Sequence, residues 1–167
     1  MNIYLVGFMG TGKTSVGRLL ASKKGWNFVD LDELIELKEQ RRIVDIFAQD
    51  GEPYFRKIEK KFLKQVSTQE RFVVACGGGV VLDKDNIKVM KKTGTLICLS
   101  AESKVILKRV LISSHRPLLN VAKPKERIEL LLKLRQPYYL QADSIIDTSC
   151  LSIKQVVGKI LKIAKTR

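Results

Sequence analysis

The chain has 167 residues, with 31 Lys plus Arg against 17 Asp plus Glu, so its formal net charge is +14. That length suits one domain, residues 1–167, and not two joined by a linker. Its 45% hydrophobic content supplies a core and excludes wholesale disorder. No apolar run approaches the roughly 20 residues that a membrane span needs. The opening MNIYLVGFMG carries no basic leader and no small-residue cleavage site. Three cysteines, Cys76, Cys98 and Cys150, without a C-x-x-C pair, fit neither a disulfide scaffold nor a structural zinc site. The expected compartment is a reducing cytoplasm. The positive balance fits a nucleic acid or a small anionic substrate. The basic residues, however, run from Lys13 to Arg167 without forming a block, and sets such as Lys57, Lys60, Lys61 and Lys64 read as solvated helix faces. A single histidine, His115, excludes a polyhistidine metal site.

Taken in chain order, Ile3–Val6 is a short strand ending in a glycine-rich turn, followed by a helix with Val16, Leu19 and Leu20 on one face. Phe28–Val29 is a strand that runs into acidic residues, and 34–38 and 44–47 read as helical. Pro53 suits the first turn of a helix that repeats apolar residues at Phe55, Ile58, Phe62 and Val66. A β-branched run, Phe72–Cys76, stops at Gly77-Gly78-Gly79. A short helix around 87–90, a strand at 95–99 and a helix at 105–110 come next. Ile128, Leu131 and Leu132 share the face of a further helix, 144–146 is the last strand, and an amphipathic helix from Ile153 to Leu161 follows it. Strands alternating with helices predict an α/β architecture, a parallel sheet of about five strands with helices on both faces. The least regular interior stretch, about 113–124, is expected to be a mobile lid.

Gly7-Phe-Met-Gly-Thr-Gly12-Lys13-Thr14 matches G-x-x-x-x-G-K-[ST], between a strand and a helix as that motif requires. Its glycines let the backbone turn tightly and bring N–H groups to phosphate oxygens. The helix N-terminus adds partial positive charge, Lys13 reaches the β- and γ-phosphates, and the Thr14 hydroxyl can ligate Mg²⁺. This specifies a nucleoside triphosphate site and leaves the acceptor open, although no N-K-x-D-type run for guanine is present.

Asp30 and Asp32 follow the second strand, and ligands gather at the carboxyl ends of parallel strands. The pair reads either as a base and a metal-side acid, or as Asp32 capping a helix with Asp30 in a loop. The glycine triplet reads as a close approach to a ligand or as a tight turn. Arg56 follows Phe55 at the start of its helix, and Arg135 falls in line with Ile128, Leu131 and Leu132, which fits a bidentate grip on a small acid or two structural ion pairs. Arg116, before Pro117, reads as an arginine finger supplied in cis or as an ordinary loop residue.

The blocks GFMGTGKTSVGRLLA, DLD, DIFAQDGEPYFRKIE, GGGVV, RPLL and LRQPYY, in this order and spacing, resemble the shikimate kinase family over most of the chain. The resemblance implies a three-layer P-loop kinase fold of nucleoside-monophosphate-kinase type, with strand order 2-3-1-4-5. It implies transfer of the ATP γ-phosphoryl group to the 3-hydroxyl of shikimate, on the way to chorismate and the aromatic amino acids. ATP would contact Gly10, Thr11, Gly12, Lys13, Thr14 and Ser15, with Arg109 packed on adenine and Arg116 over the phosphates. Shikimate would lie in helices of about 32–62, held by Asp32, Arg56, Arg135 and Gly77, Gly78 and Gly79. Asp32 would act as base, and Lys13 and Arg116 would stabilise the moving phosphoryl. One Mg²⁺ per subunit would sit on Thr14 and, through water, Asp30. The implied partners are ATP and shikimate, with no nucleic acid or membrane, in a monomeric enzyme. Two positions depart from the family pattern: Cys76 replaces the more usual Thr or Ser, and Ser149-Cys150-Leu151-Ser152 stands where Arg or Pro often covers adenine.

Overall fold

The two-residue period of the first strand sets the layers. Ile3 and Leu5 face one side of the sheet, and Tyr4 and Val6 face the other, all of them buried. A strand covered on both sides reads as a continuous apolar run, as this one does. In the computed structural model, which describes residues 1–112 and 123–164, five strands form one parallel sheet. They are β1 (Asn2–Val6), β2 (Asn27–Asp30), β3 (Phe72–Ala75), β4 (Gly94–Ser100) and β5 (Ser144–Asp147), in the order β2-β3-β1-β4-β5. Seven helices accompany them among the described residues: α1 (Lys13–Lys24), α2 (Leu31–Glu39), α3 (Ile43–Ser67), α4 (Lys84–Thr93), α5 (Ser103–Ile112), α6 (Pro124–Tyr139) and α7 (Ile153–Ile163).

Leu5 packs with Val16 and Leu20 of α1 and with Val157 and Ile160 of α7. Tyr4 and Val6 share the larger cluster with Leu63 of α3, Met90 of α4, Ile106 of α5 and Ile128 of α6. Each such side chain contributes about 1.5–3 kcal/mol by leaving water. The register is pinned by polar side chains at the strand ends. Asn2 donates to Gln69 O and accepts from Phe72 N, and Asp143 accepts from Leu96 N at 2.8 Å.

The expected segments 44–47 and 53–66 lie within α3, which is interrupted at Gly51 (φ 78°, ψ 173°), with Pro53 just beyond the break. That break lets the first part of α3 fold against α2. Ile43 N donates to Glu36, Tyr54 donates to Glu39, and Arg41 pairs with Asp50 at 2.7 Å. The α2–α3 pair thereby stands as a fixed wall beside the carboxyl ends of β1, β2 and β3. The expected lid, 113–124, lies outside the described residues except for Lys123 and Pro124. No helix among the described residues is long and apolar enough to cross a membrane.

Candidate active site

β1 sits between β3 and β4, so its carboxyl end is the point where the sheet connections diverge, the usual ligand crevice of open α/β sheets. The turn that follows is built from left-handed glycines: Gly7, Gly10 and Gly12 have φ of 134°, 76° and 95°. Gly7 also has no room for a side chain, because a Cβ there would collide with the Leu99 carbonyl. The loop carbonyls are turned into the protein. Phe8 O accepts from Thr11 Oγ1 at 2.8 Å and from Lys13 Nζ at 2.9 Å, and Gly10 O accepts from Arg109 at 3.2 Å. Gly12 precedes α1 without a side-chain cap, so the first N–H groups of the helix remain available to an anion. Thr11 is buried and its hydroxyl is committed to the loop, and Ser15, in the first turn of α1, is exposed.

Asp30 ends β2 and serves two neighbours. Its Oδ1 caps α2 by accepting from Asp32 N at 3.1 Å, and its Oδ2 accepts from the Thr14 hydroxyl at 2.7 Å. The helix cap is therefore Asp30, and Asp32 stands in the first helical turn, facing the glycine triplet. A hydroxyl beside a carboxylate is a hard-oxygen donor pair suited to Mg²⁺, which takes few protein ligands when phosphates supply the rest.

Within the triplet, Gly77 and Gly79 leave no room for a side chain unless their neighbours' side-chain ends shift. A Cβ on Gly77 would lie 2.8 Å from both Asp32 Oδ1 and Glu59 Oε1, and one on Gly79 would meet the Arg56 guanidinium, 2.7 Å from its central carbon. Gly78 lies beside Arg135, whose Nη1 would stand 3.4 Å from a Cβ there. Arg135 is buried against the Phe8 ring, 5.7 Å from its centre. Arg56 is held by Glu59 at 2.7 Å and by Glu52 at 2.9 Å. Arg56 thus makes the structural ion pairs and also lines the cleft. Lys13, Thr14, Asp30, Asp32, Arg56, Gly77–Gly79 and Arg135 all border one hollow of about 380 Å³, with Phe47 and Phe55 among its apolar walls.

Cys76 lines the same hollow. Burial pushes its thiol well above the ordinary range, so it is a neutral group and a poor partner for a hard cation. Arg109 is held edge-on, with Nη1 on Gly10 O and Thr148 Oγ1, and Nη2 on Thr148 O at 2.9 Å. Ser149 Oγ is taken by Asp147 and by Glu102 N, and Ser152 caps α7 in a reciprocal pair with Gln155. The serines of the departing segment are therefore spent on the turn and the helix start. Arg116 lies outside the described residues.

Glu59 has no role in the sequence reading, yet it is 1% exposed at the heart of the site. Its signal was a carboxylate three residues beyond Arg56, within the apolar stripe of Phe55, Ile58 and Phe62. One oxygen is on Arg56, and Oε1 is buried with no hydrogen-bond partner among the described residues. Burial raises its pKa to about 7, against the pull of Arg56. Because the folded value exceeds the ordinary 4.5, the folded state holds a proton that the unfolded state has released. Stability from this group is therefore complete below pH 4.5 and falls as pH rises towards about 7. Relative to Glu59→Gln, the wild type should lose Tm across that window and stay level above it. A Tm difference that does not change with pH would contradict this assignment.

The phosphate loop, with its paired acid and hydroxyl and a substrate-sized hollow beside it, defines a P-loop kinase. A family model for shikimate kinase matches residues 9–165, and the chain belongs to that family. It is 49% identical to the shikimate kinase of Thermodesulfovibrio yellowstonii over 161 residues, 96% of this chain and 93% of that one. Among solved structures, the shikimate kinase from Acinetobacter baumannii in complex with shikimate is 37% identical with a TM-score of 0.94, covering 99% of this chain and 93% of that one. The shikimate kinase from Aquifex aeolicus is 34% identical with a TM-score of 0.84, covering 99% and 97%.

Proposed function

We propose that this chain transfers the γ-phosphoryl group of ATP to the 3-hydroxyl of shikimate, giving shikimate 3-phosphate and ADP, a step towards chorismate and the aromatic amino acids. The observation that carries this reading is the placing of two guanidiniums, Arg56 and Arg135, in the same hollow as Asp32 and the phosphate loop. A small acid with ring hydroxyls can be gripped there by its carboxylate while one hydroxyl is aimed at the phosphates. Its volume falls in the range of small-molecule pockets, about 300–1,000 Å³.

In this mechanism Arg56 and Arg135 bind the carboxylate and fix the ring, and the glycine triplet lets the acid approach the backbone. Asp32 orients the acceptor hydroxyl and takes its proton as the phosphorus–oxygen bond forms. Lys13 and the N-terminal amides of α1 stabilise charge on the transferring phosphoryl. Thr14 and, through water, Asp30 would hold one Mg²⁺, which when bound neutralises phosphate charge. Arg109, with its edges hydrogen-bonded, offers adenine its flat face. Arg116, outside the described residues, would add its charge to the stabilisation of the transferring phosphoryl. The enzyme works as a cytoplasmic monomer, and its basic surface serves anionic substrates without binding nucleic acid.

A coupled ADP-release assay with ATP and Mg²⁺ tests the acceptor, with shikimate run beside gluconate and nucleoside monophosphates. Release that requires shikimate supports the reading, and release with another acceptor overturns it. Arg135→Ala should raise KM for shikimate about 10–100-fold, the worth of a lost charge-assisted hydrogen bond, with little change in KM for ATP. An unchanged KM for shikimate would remove Arg135 from the clamp.

A further inference from the structure

Tyr139 closes α6, four residues beyond Arg135, so the two side chains share a helix face. Its ring is buried in the core cluster beneath the site. Its hydroxyl donates to the Gly78 carbonyl at 2.6 Å, a short bond for a neutral donor. Arg135 itself lies against Gly78, and its charge acts on the same phenol. One phenol therefore holds the middle of the glycine triplet beside one guanidinium of the hollow, two parts of the chain 57 residues apart in sequence that no strand pairing connects.

We propose that Tyr139 is a positioning residue for the acid substrate, its hydroxyl fixing the Gly78 peptide, against which the Arg135 guanidinium lies, in the arrangement that receives the carboxylate. The inference rests on reading Arg135 as part of the acid clamp. Holding the Gly78 carbonyl also fixes the peptide plane shared with Gly79, because the bond is planar and its N–H points opposite to the carbonyl. Gly79 is the residue that touches Arg56, so this one hydroxyl bears on both arginines. The phenol takes no part in the proton transfer, since its hydrogen is committed to a carbonyl. Burial pushes its pKa up to about 12, so it remains a donor throughout the working range.

Tyr139→Phe keeps the ring and removes only the hydroxyl. Calorimetric binding of shikimate and of ADP should be measured with steady-state constants for both substrates, beside Arg135→Lys. The expected result is roughly tenfold weaker shikimate binding and a matching rise in its KM, with ADP binding, KM for ATP and kcat within about twofold of wild type. The ratio of wild type to variant should be constant from about pH 6 to 9, because the phenol does not titrate there. Shikimate binding within about twofold of wild type would overturn the proposal, as would equal losses for shikimate and ADP, the mark of a merely structural role. If Arg135→Lys binds shikimate normally, the clamp reading fails and the proposal falls with it. Loss in Arg135→Lys but not in Tyr139→Phe would leave the clamp standing and remove Tyr139 alone.

Discussion

Asp32→Asn is expected to lower kcat by about 10²–10⁴-fold while KM for shikimate moves by less than about tenfold. The substitution is nearly isosteric, and on the side of the glycine triplet the side chain has little room. A Cβ added to Gly77 would lie 2.8 Å from Asp32 Oδ1, so the side chain at 32 is confined between the first turn of α2 and the triplet. An amide in that position can still hydrogen-bond the ring hydroxyls and hold the acceptor. It cannot take a proton from the attacking hydroxyl, so the loss belongs in the chemical step. Steady-state kinetics with both substrates varied reads the difference. A rise in KM with kcat preserved would make Asp32 a binding group and move the base elsewhere. The neighbouring Glu59, buried behind the same glycine and also beside Arg56, would then be the carboxylate to substitute next.

The parts legible in the sequence are those whose chemistry is local. G-x-x-x-x-G-K-T specifies a loop because its glycines, lysine and hydroxyl act within eight residues, and the structure places all of them around one anion-ready helix start. Alternating strands and helices implied the parallel sheet, while the order of its strands came from the family resemblance. Other features depend on distant partners. For the D-x-D pair the sequence offered Asp32 as the helix cap, with Asp30 in a loop. The cap is instead Asp30, because α2 begins directly at the end of β2, and this leaves Asp32 to face Gly77 from another strand's end. Arg56 looked like either a ligand-binding group or an ion-pair partner; it makes the ion pairs, and they hold it at the wall of the hollow. Glu59 and Tyr139 escaped because a buried carboxylate and a buried phenol gain their roles only when α3, α6 and the triplet meet. In sequence each is one more residue within an apolar helical stripe or at its end.

Lys13→Met should reduce kcat/KM by about 10²–10³-fold, the scale set by losing one preorganised donor to transition-state charge. The side chain keeps its length and apolar stem and loses only the ammonium. The ammonium has two functions that the experiment must separate. In the structure Lys13 Nζ donates to Gly7 O and Phe8 O, each at 2.9 Å, and so helps to shape the loop it belongs to. That structural part has a substitute, because Phe8 O also accepts from the Thr11 hydroxyl at 2.8 Å, and the left-handed glycines fix the turn independently. The loop should therefore persist in the variant, with ADP binding weakened by much less than turnover. Among the described residues that border the hollow, the other cations, Arg56 and Arg135, sit with the glycine triplet. Calorimetry with ADP and turnover at saturating ATP distinguish the two contributions. If turnover recovers fully at saturating ATP, Lys13 contributes ground-state binding alone. If it stays low, the ammonium acts on the phosphoryl group in flight.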